Sequence, residues 1–175
     1  MTLPLDIPVL ETERLILRAL TMADFPAYRD AFASQRTQYV GGPLDERQSW
    51  SNFCKETAPW TLTGLGAWAV EERESSAFTG VVGFYNHPYF PEVELGWMVL
   101  PTGEGKGIAY EAAQAARHWA YDSAGLSTLV SYIHCDNARS IALAERLGAR
   151  LDPDAPACPY AHHVTYRHPG PEALA

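Results

Sequence analysis

The sequence has no apolar run long enough to cross a membrane. None of its hydrophobic stretches approaches the roughly 18 residues that a transmembrane helix needs. The N-terminal residues 1–15 carry acidic side chains early and lack a basic segment followed by an apolar core, so they are not typical of a secretory signal. We therefore expect a protein with no membrane partner, and the cytoplasm as its default location.

Cysteine and basic residues are also scarce. The three cysteines, Cys54, Cys135 and Cys158, are odd in number and widely spaced, which predicts neither a disulfide framework nor a zinc site. The six histidines show no metal-ligand spacing, so we expect no metal cofactor. Acidic residues number 21 against 13 basic ones, for a net charge of −8. This balance argues against a nucleic-acid partner and suits a cationic substrate such as an amine.

The length and composition predict one globular domain spanning residues 1–175. The chain is 47% hydrophobic, which is enough for a real core. Strands are predicted over residues 14–20, 67–72, 78–86, 93–100, 128–135 and 163–167. Helices are predicted from Thr21 or Asp24, from Asp45 or Ser49, over 108–123 and over 138–147, with an irregular stretch at 59–66. Strands cluster before residue 101 and then alternate with helices, which predicts a mixed sheet in an α/β or α+β domain.

A strand, a glycine loop and a helix follow one another in residues 92–112, EVELGWMVLPTGEGKGIAYEA. The glycines permit close approach, and the helix N-terminus offers unpaired N–H groups to an anion, so this stretch predicts a phosphorylated cofactor. Lys106 is followed by Gly107, where a nucleotide P-loop needs Ser or Thr. Ile108 takes the place of the third glycine of a dinucleotide fingerprint. Both of those ligand classes are therefore disfavoured.

Three ordered blocks of the chain resemble the GNAT superfamily of acyl-CoA-dependent N-acetyltransferases. They are ELGW with the following glycine loop, the segment Asn137 to Gly148 (NARSIALAERLG), and Glu11 to Arg18 (ETERLILR). The last resembles the opening of the branch that acetylates ribosomal-protein N-termini and related amines. The resemblance implies a mostly antiparallel sheet that is splayed at its centre, with helices on both faces. It also implies transfer of an acetyl group from acetyl-CoA to a primary amine, of a protein N-terminus or a small molecule, by direct attack; a homodimer is common in the family.

The resemblance also assigns residues to coenzyme binding. Backbone N–H groups would hold the pyrophosphate, and they belong to Gly105, Lys106, Gly107, Ile108 and Ala109. Glu104 stands where the family motif has Gln or Arg, and it adds a negative charge near that anion. The pantetheine arm would lie along Trp97, Met98 and Val99, with the Val99 N–H polarising the thioester carbonyl, and it would meet Asn137 and Ser140.

Two residues are candidates for proton transfer. Glu94 matches the position often offered as the general base, although an exposed strand carboxylate without a catalytic part fits the pattern equally well. Ser140 would protonate the departing thiolate, or serve as a small packing residue. Many superfamily members use a tyrosine at the position of Ala144, so that acid is missing here. His134 is an alternative base.

Two functions remain open on this reasoning. The leading one is an N-acetyltransferase; the alternative is a catalytically weak acyl-CoA-binding sensor or regulatory domain, which the replacements at Glu104 and Ala144 favour. We expect acceptor recognition to involve aromatic side chains of the early helices and loops. The candidates are Tyr39, Trp50, Trp60, Tyr85 and the loop 87–91.

Overall fold

The computed structural model describes residues 6–174 and contains one eight-stranded sheet with four α-helices. The predicted domain limits, 1 and 175, lie outside these residues. The strands are β1 (Leu10–Glu11), β2 (Leu15–Arg18), β3 (Ala67–Glu72), β4 (Ala77–Tyr85), β5 (Glu94–Val99), β6 (Val130–His134), β7 (Arg150–Leu151) and β8 (His163–Arg167). The helices are α1 (Phe25–Phe32), α2 (Glu46–Thr63), α3 (Ile108–Asp122) and α4 (Ala138–Arg146).

The sheet has the strand order β1-β2-β3-β4-β5-β6-β8-β7, and all neighbours but one pair are antiparallel. The exception is β5 with β6, which run parallel and share one register pair, Glu94 with Val130. The Val130 N–H also donates to the Val93 carbonyl at 3.1 Å. Beyond this point the two strands separate, so the predicted mostly antiparallel sheet with a splayed centre is confirmed.

Helices cover both faces of the sheet, as its side-chain alternation requires. Helix α3 packs its small residues, Ala112, Ala113, Ala116 and Ala120, against one face together with Trp68. Helices α1 and α2 cover the opposite face, where the next residue along β3, Ala69, meets a separate buried cluster. Small side chains let α3 lie close to the sheet, and that closeness fixes the start of α3 relative to the end of β5.

Helix α2 is longer than the sequence predicts. It starts after Asp45, whose carboxylate accepts a hydrogen bond from the Gln48 N–H in a capping box. It then continues through Pro59 to Thr63, so the predicted irregular stretch is wrong over its first five residues. Pro59 removes only one helical N–H, whereas the next residue, Trp60, is buried and donates its indole N–H to the Ala67 carbonyl at 2.9 Å. The burial and hydrogen bond of Trp60 therefore outweigh the tendency of Pro59 to end the helix.

Two short strands, β1 and β7, were not predicted, because two residues carry no periodic signal. Among residues 6–174, none of the helices combines the length and the apolar character needed to cross a membrane.

Candidate active site

The glycine loop after β5 presents backbone N–H groups without partners. Gly105 and Gly107 adopt φ values of 72° and 75°, the left-handed region that suits glycine. In the described part of the chain, the N–H groups of residues 105–109 donate no hydrogen bond to a loop or side-chain acceptor. The loop is fastened from outside, since Arg14 donates to the Lys106 carbonyl at 2.9 Å and pairs with Glu111 at 2.6 Å. The result is a fixed row of donors at the start of α3.

A cavity of about 450 Å³ lies between the end of β5, this loop and the start of α4. We call it the coenzyme cavity. The predicted residues that line it are Trp97, Met98, Val99, Glu104, Ala109, Asn137 and Ser140. Of the other predicted loop residues, Gly105 and Lys106 are exposed, Gly107 is half-buried, and the Ile108 side chain is buried in the core. Those four can therefore contribute through backbone groups at the rim.

Strand β5 turns unused backbone groups toward this cavity. The Leu100 N–H donates to the Thr79 carbonyl of the β4 side at 2.8 Å. Backbone direction alternates along an antiparallel pair, so the polar groups of Val99 and Trp97 point away from β4, toward the gap that β6 has left. The predicted donor, the Val99 N–H, thus faces the cavity.

Glu104 is held by two arginines at the rim of the coenzyme cavity. Its carboxylate accepts from the Arg36 guanidinium and from Arg139 at 2.9 Å. Partial burial acts to raise the pKa of Glu104, but the hydrogen bonds from Arg139 and Arg36 outweigh it and leave the pKa below its ordinary value. Its negative charge is therefore compensated within the protein. Sequence reasoning did not predict this pairing, because Arg36 and Arg139 lie in segments distant from Glu104.

A second cavity of about 530 Å³ adjoins the first, and we call it the acceptor cavity. The two share Gln38, Tyr39, Val40, Trp97, Met98, Asn137 and Ser140, so they meet where β5 and β6 separate. Glu94 and Glu56 line the acceptor cavity, together with many aromatic side chains.

The Glu94 carboxyl is a strongly perturbed acid that lines the acceptor cavity. Burial raises its pKa to about 8, against a hydrogen bond from the Tyr132 backbone that lowers it, and the nearby Glu56 charge raises it further. Gly96 makes room for the Tyr85 ring beside this group, since a Cβ there would lie 2.8 Å from that ring, but at an ordinary contact distance of 3.7 Å from the Glu94 Oε1. A base poised near neutral pH can remove a proton from an ammonium.

Glu56 on α2 is a member of the site that sequence reasoning missed. Its two carboxylate oxygens accept from the Tyr28 hydroxyl at 2.9 Å and the Tyr85 hydroxyl at 2.7 Å. Burial raises its pKa, although the two tyrosines oppose that shift. The available signal was helical spacing, which places Glu56 on the same buried face as Phe53 and Trp60.

A buried hydrogen-bond chain fixes the point where the strands separate. The Ser131 hydroxyl donates to the Leu95 carbonyl at 2.6 Å and lies 2.9 Å from the His168 Nε2. Arg117 approaches the other ring nitrogen at 3.4 Å and donates to the Leu147 carbonyl at 2.6 Å. Burial, aided by the Arg117 charge, lowers the pKa of His168 to about 3, so its ring is neutral. This hydrogen-bond chain takes the place of backbone pairing between β5 and β6 from Leu95, one residue beyond Glu94.

The start of α4 supplies the polar groups on the far side of the gap. The Asn137 side chain accepts from the Ser140 N–H at 3.2 Å, which confirms the predicted helix cap. Ser140 is half-buried and lines both cavities. Ala144 is fully buried in a cluster with Ile133 and Tyr166 and touches neither cavity.

The remaining candidates divide between the cavity and the rest of the protein. Tyr39, Tyr85, His87 and Tyr89 line the acceptor cavity, as does His134, whose ring stacks at 4.9 Å on Tyr39. His134 also forms an unpredicted group with the exposed Cys135 and Asp136, whose ligand atoms all lie within 4.8 Å of one another on one turn.

Two other candidates lie elsewhere, as does the acid Glu92. Trp50 packs against Phe25 at 5.3 Å, and Trp60 packs in the core. Glu92 accepts from Arg167 at 2.8 and 2.9 Å, away from the cavity.

The protein is similar to known proteins in both sequence and fold. The profile of the acetyltransferase (GNAT) domain family matches residues 14–150. An acetyltransferase structure from Agrobacterium tumefaciens is 46% identical, with a TM-score of 0.88 over 96% of this chain and 98% of that one. An uncharacterised N-acetyltransferase of Bacillus subtilis, YoaA, is 28% identical over 145 residues, 81% of this chain and 82% of its own.

A ribosomal-protein acetyltransferase shares the fold at lower identity. RimL, an L7/L12 alpha-N-protein acetyltransferase solved with coenzyme A, has a TM-score of 0.71 over 92% of this chain and 96% of its own, at 17% identity. The family profile spans most of the chain, and its match includes β5 and β6, the two strands that separate at the centre of the sheet. The chain therefore belongs to the GNAT family of acetyltransferases.

Proposed function

We propose that this protein transfers the acetyl group of acetyl-CoA to a primary amine. The observation that carries the proposal is the position of Glu94, a carboxyl with a pKa of about 8 that lines the acceptor cavity from the same strand as Trp97 and Met98, which both cavities share. One of those cavities ends at a row of unpaired backbone N–H groups, and the other is lined by aromatic rings. A nucleotide thioester and an amine can then meet beside a base.

The coenzyme cavity and the glycine loop at its rim offer donors that acetyl-CoA would need. The N–H groups of residues 105–109 would hold the pyrophosphate at the start of α3, where the helix dipole favours an anion. Arg36 and Arg139 stand at the rim with Glu104 between them. We infer that a coenzyme phosphate replaces the Glu104 carboxylate between these guanidinium groups. Val99 and Trp97 would pair with the pantetheine arm, completing the sheet edge.

Glu94 would accept the proton that leaves the acceptor ammonium. The freed nitrogen then forms a bond to the carbonyl carbon of the acetyl thioester, and the carbon–sulfur bond breaks. The second proton that the nitrogen loses would reach the departing sulfur through the Ser140 hydroxyl, which gives one proton and takes up another. The Val99 N–H would stabilise the negative charge that develops on the carbonyl oxygen. Acetyl-CoA supplies the activated acetyl group, and the protein supplies position, base and donor.

Ser140 is the group we propose for protonating the departing thiolate. Ser140 lines both cavities, whereas Ala144, where many relatives carry tyrosine, is enclosed in the core. If Ser140 acts this way, the variant Ser140→Ala slows the chemical step. An unchanged rate would mean that the thiolate leaves unprotonated.

Two measurements test the proposal. Acetyl-CoA should raise the melting temperature of the protein by mass action, and ATP at the same concentration should not. Thiol release should then depend on an added amine when a panel of amines and short peptides is supplied. Stabilisation by acetyl-CoA without turnover of any amine would contradict the proposal and support the coenzyme-binding regulatory domain.

A further inference from the structure

The acceptor cavity has a wall made largely of aromatic rings. A run of side chains borders it, which we call the aromatic belt: Tyr39, Tyr85, His87, Tyr160, His134 and His163. Along this belt, ring centroids lie 4.9 Å apart for Tyr39 and His134, and 5.2 Å apart for Tyr160 and His163. Rings of this kind favour a ligand with a flat apolar body.

Phe90 connects the two halves of the belt from behind. Its ring lies 4.8 Å from His87 and 5.5 Å from Tyr160, in edge-to-face contacts. It is buried, so the half of the belt that comes from the loop after β4 is braced against the half that comes from the segment before β8. The two halves of the belt are therefore held in a fixed arrangement by their contacts with Phe90.

Charged groups on this cavity are few and unbalanced. Apart from histidines, its charged residues are Lys55, Glu56 and Glu94. Lys55 is exposed at the outer rim. Burial and the Lys55 charge lower the pKa of His87, so its ring stays neutral at pH 7. An acceptor with a carboxylate next to its amine would bring that carboxylate to Glu94 with no buried cation to balance it.

Of the two carboxyls that the described residues place on this cavity, only Glu94 accepts no tyrosine hydroxyl. Each oxygen of Glu56 already accepts a hydrogen bond, from the Tyr28 or the Tyr85 hydroxyl. Glu94 is therefore the carboxyl that would meet an ammonium group, on the same strand as Trp97 and Met98, which both cavities share. A polyamine would bury a second ammonium without a partner, which is costly. An extended peptide would bury backbone N–H and C=O groups against rings, where each loses its hydrogen bonds to water.

We propose that the acceptor is an arylalkylamine, a primary monoamine whose short chain ends in an aromatic ring and which has no carboxylate beside the amine. This inference rests on the proposed function. Its ammonium would meet Glu94, and its ring would lie along the aromatic belt. Tyr160 is then a specificity-determining residue, because it is half-exposed at the mouth and contributes its ring directly to the wall.

The test compares acceptors at saturating acetyl-CoA by following thiol release. The panel contains phenethylamine, phenylalaninamide, phenylalanine, hexylamine, spermidine and a short peptide with a free N-terminus. We expect phenethylamine and phenylalaninamide to be the best acceptors. Phenylalanine, which differs from its amide by one negative charge, should show a kcat/KM lower by about tenfold or more.

The variant Tyr160→Leu separates ring recognition from a structural effect. Its KM for phenethylamine should rise about two- to tenfold, the range typical of one aromatic contact, with kcat little changed. Hexylamine has no ring and serves as the comparison within the same variant, so its KM should rise less than that of phenethylamine. Equal loss with both amines would overturn the role of Tyr160.

Other outcomes bear on the proposal as a whole. Preference for spermidine or the peptide over phenethylamine would overturn the arylalkylamine assignment while leaving acetyl transfer intact. A lack of both stabilisation by acetyl-CoA and thiol release with every amine would instead contradict the proposed function itself. The two failures are therefore distinguishable.

Discussion

The variant Glu94→Gln tests the base directly, because it keeps the size and shape of the side chain and removes its proton affinity. With a pKa of about 8, roughly a tenth of the Glu94 carboxyls are ionised at pH 7 and roughly nine tenths at pH 9. Wild-type kcat at saturating acceptor should therefore rise about tenfold over this range. The variant should lose that rise, and its kcat at pH 9 should be lower by about 10²- to 10⁴-fold, the usual contribution of a general base.

The proton that makes Glu94 inactive as a base also makes the folded protein more stable. Burial raises the pKa of Glu94 from 4.5 in the unfolded chain to about 8 in the folded one. Between these pH values the folded state keeps a proton that the unfolded state releases. The stabilisation that comes from this proton is therefore complete below pH 4.5. It is lost as pH rises toward 8, where the free energy of unfolding falls by up to ~1.4 kcal/mol per pH unit. Glu94→Gln should flatten this slope in denaturant titrations at several pH values.

The matched control is Glu92→Gln, two residues earlier and outside both cavities, where Glu92 accepts from Arg167. It should keep the wild-type dependence of kcat on pH. The reasoning is refuted if Glu94→Gln retains wild-type kcat and pH profile, or if both variants lose the same activity. A fall in kcat with an unchanged KM for acetyl-CoA is the expected pattern, since Glu94 lies in the acceptor cavity.

Three further predictions concern groups around the site. Calorimetry should show tighter coenzyme A binding in Glu104→Gln, which frees a guanidinium for phosphate, and weaker binding in Arg139→Gln, which removes one. Equal weakening by both variants would contradict the proposal that a coenzyme phosphate replaces the Glu104 carboxylate. Ser131→Ala should lower the free energy of unfolding by about 1–3 kcal/mol, since it leaves buried groups unpaired, whereas the exposed helical Ser51→Ala should change it by less than about 0.5 kcal/mol in the same urea titration. Burial lowers the pKa of His168 to about 3, so as pH falls below about 6.5 the unfolded chain binds a proton there before the folded chain does, and stability is lost. His168→Gln should reduce this loss, and an unchanged dependence of the free energy of unfolding on acid pH would contradict the reasoning.

Local patterns in the sequence were sufficient for much of the fold. The glycine loop, the alanine face of α3 and the Asn137 cap each follow from residues close in the chain, and each agrees with the structure. Helix α2 shows where local reasoning fails. Pro59 signals a break, but the burial of Trp60 in the core stabilises the helix through it, and that burial depends on strands formed later in the chain.

The site shows the same division. Motifs predict Glu94 and Ser140 as site residues; Glu94 lines the acceptor cavity and Ser140 lines both cavities. The partners that set the environment of Glu94 and Glu104 were not predicted, since Glu56 and Arg36 reach the site from other segments. Charge compensation and burial depend on tertiary contacts, so neither the raised pKa of Glu94 nor the pairing of Glu104 is visible in the sequence.

The central claim is tested most directly by supplying acetyl-CoA with an isotopic label in the acetyl group, together with phenethylamine and the other amines of the panel. Mass spectrometry of the amine and of the coenzyme follows both products. The account predicts labelled N-acetyl amine in equal amount to free coenzyme A, formed by the wild type and strongly reduced in Glu94→Gln. Release of coenzyme A without any labelled amine, or equal transfer by both proteins, would contradict it.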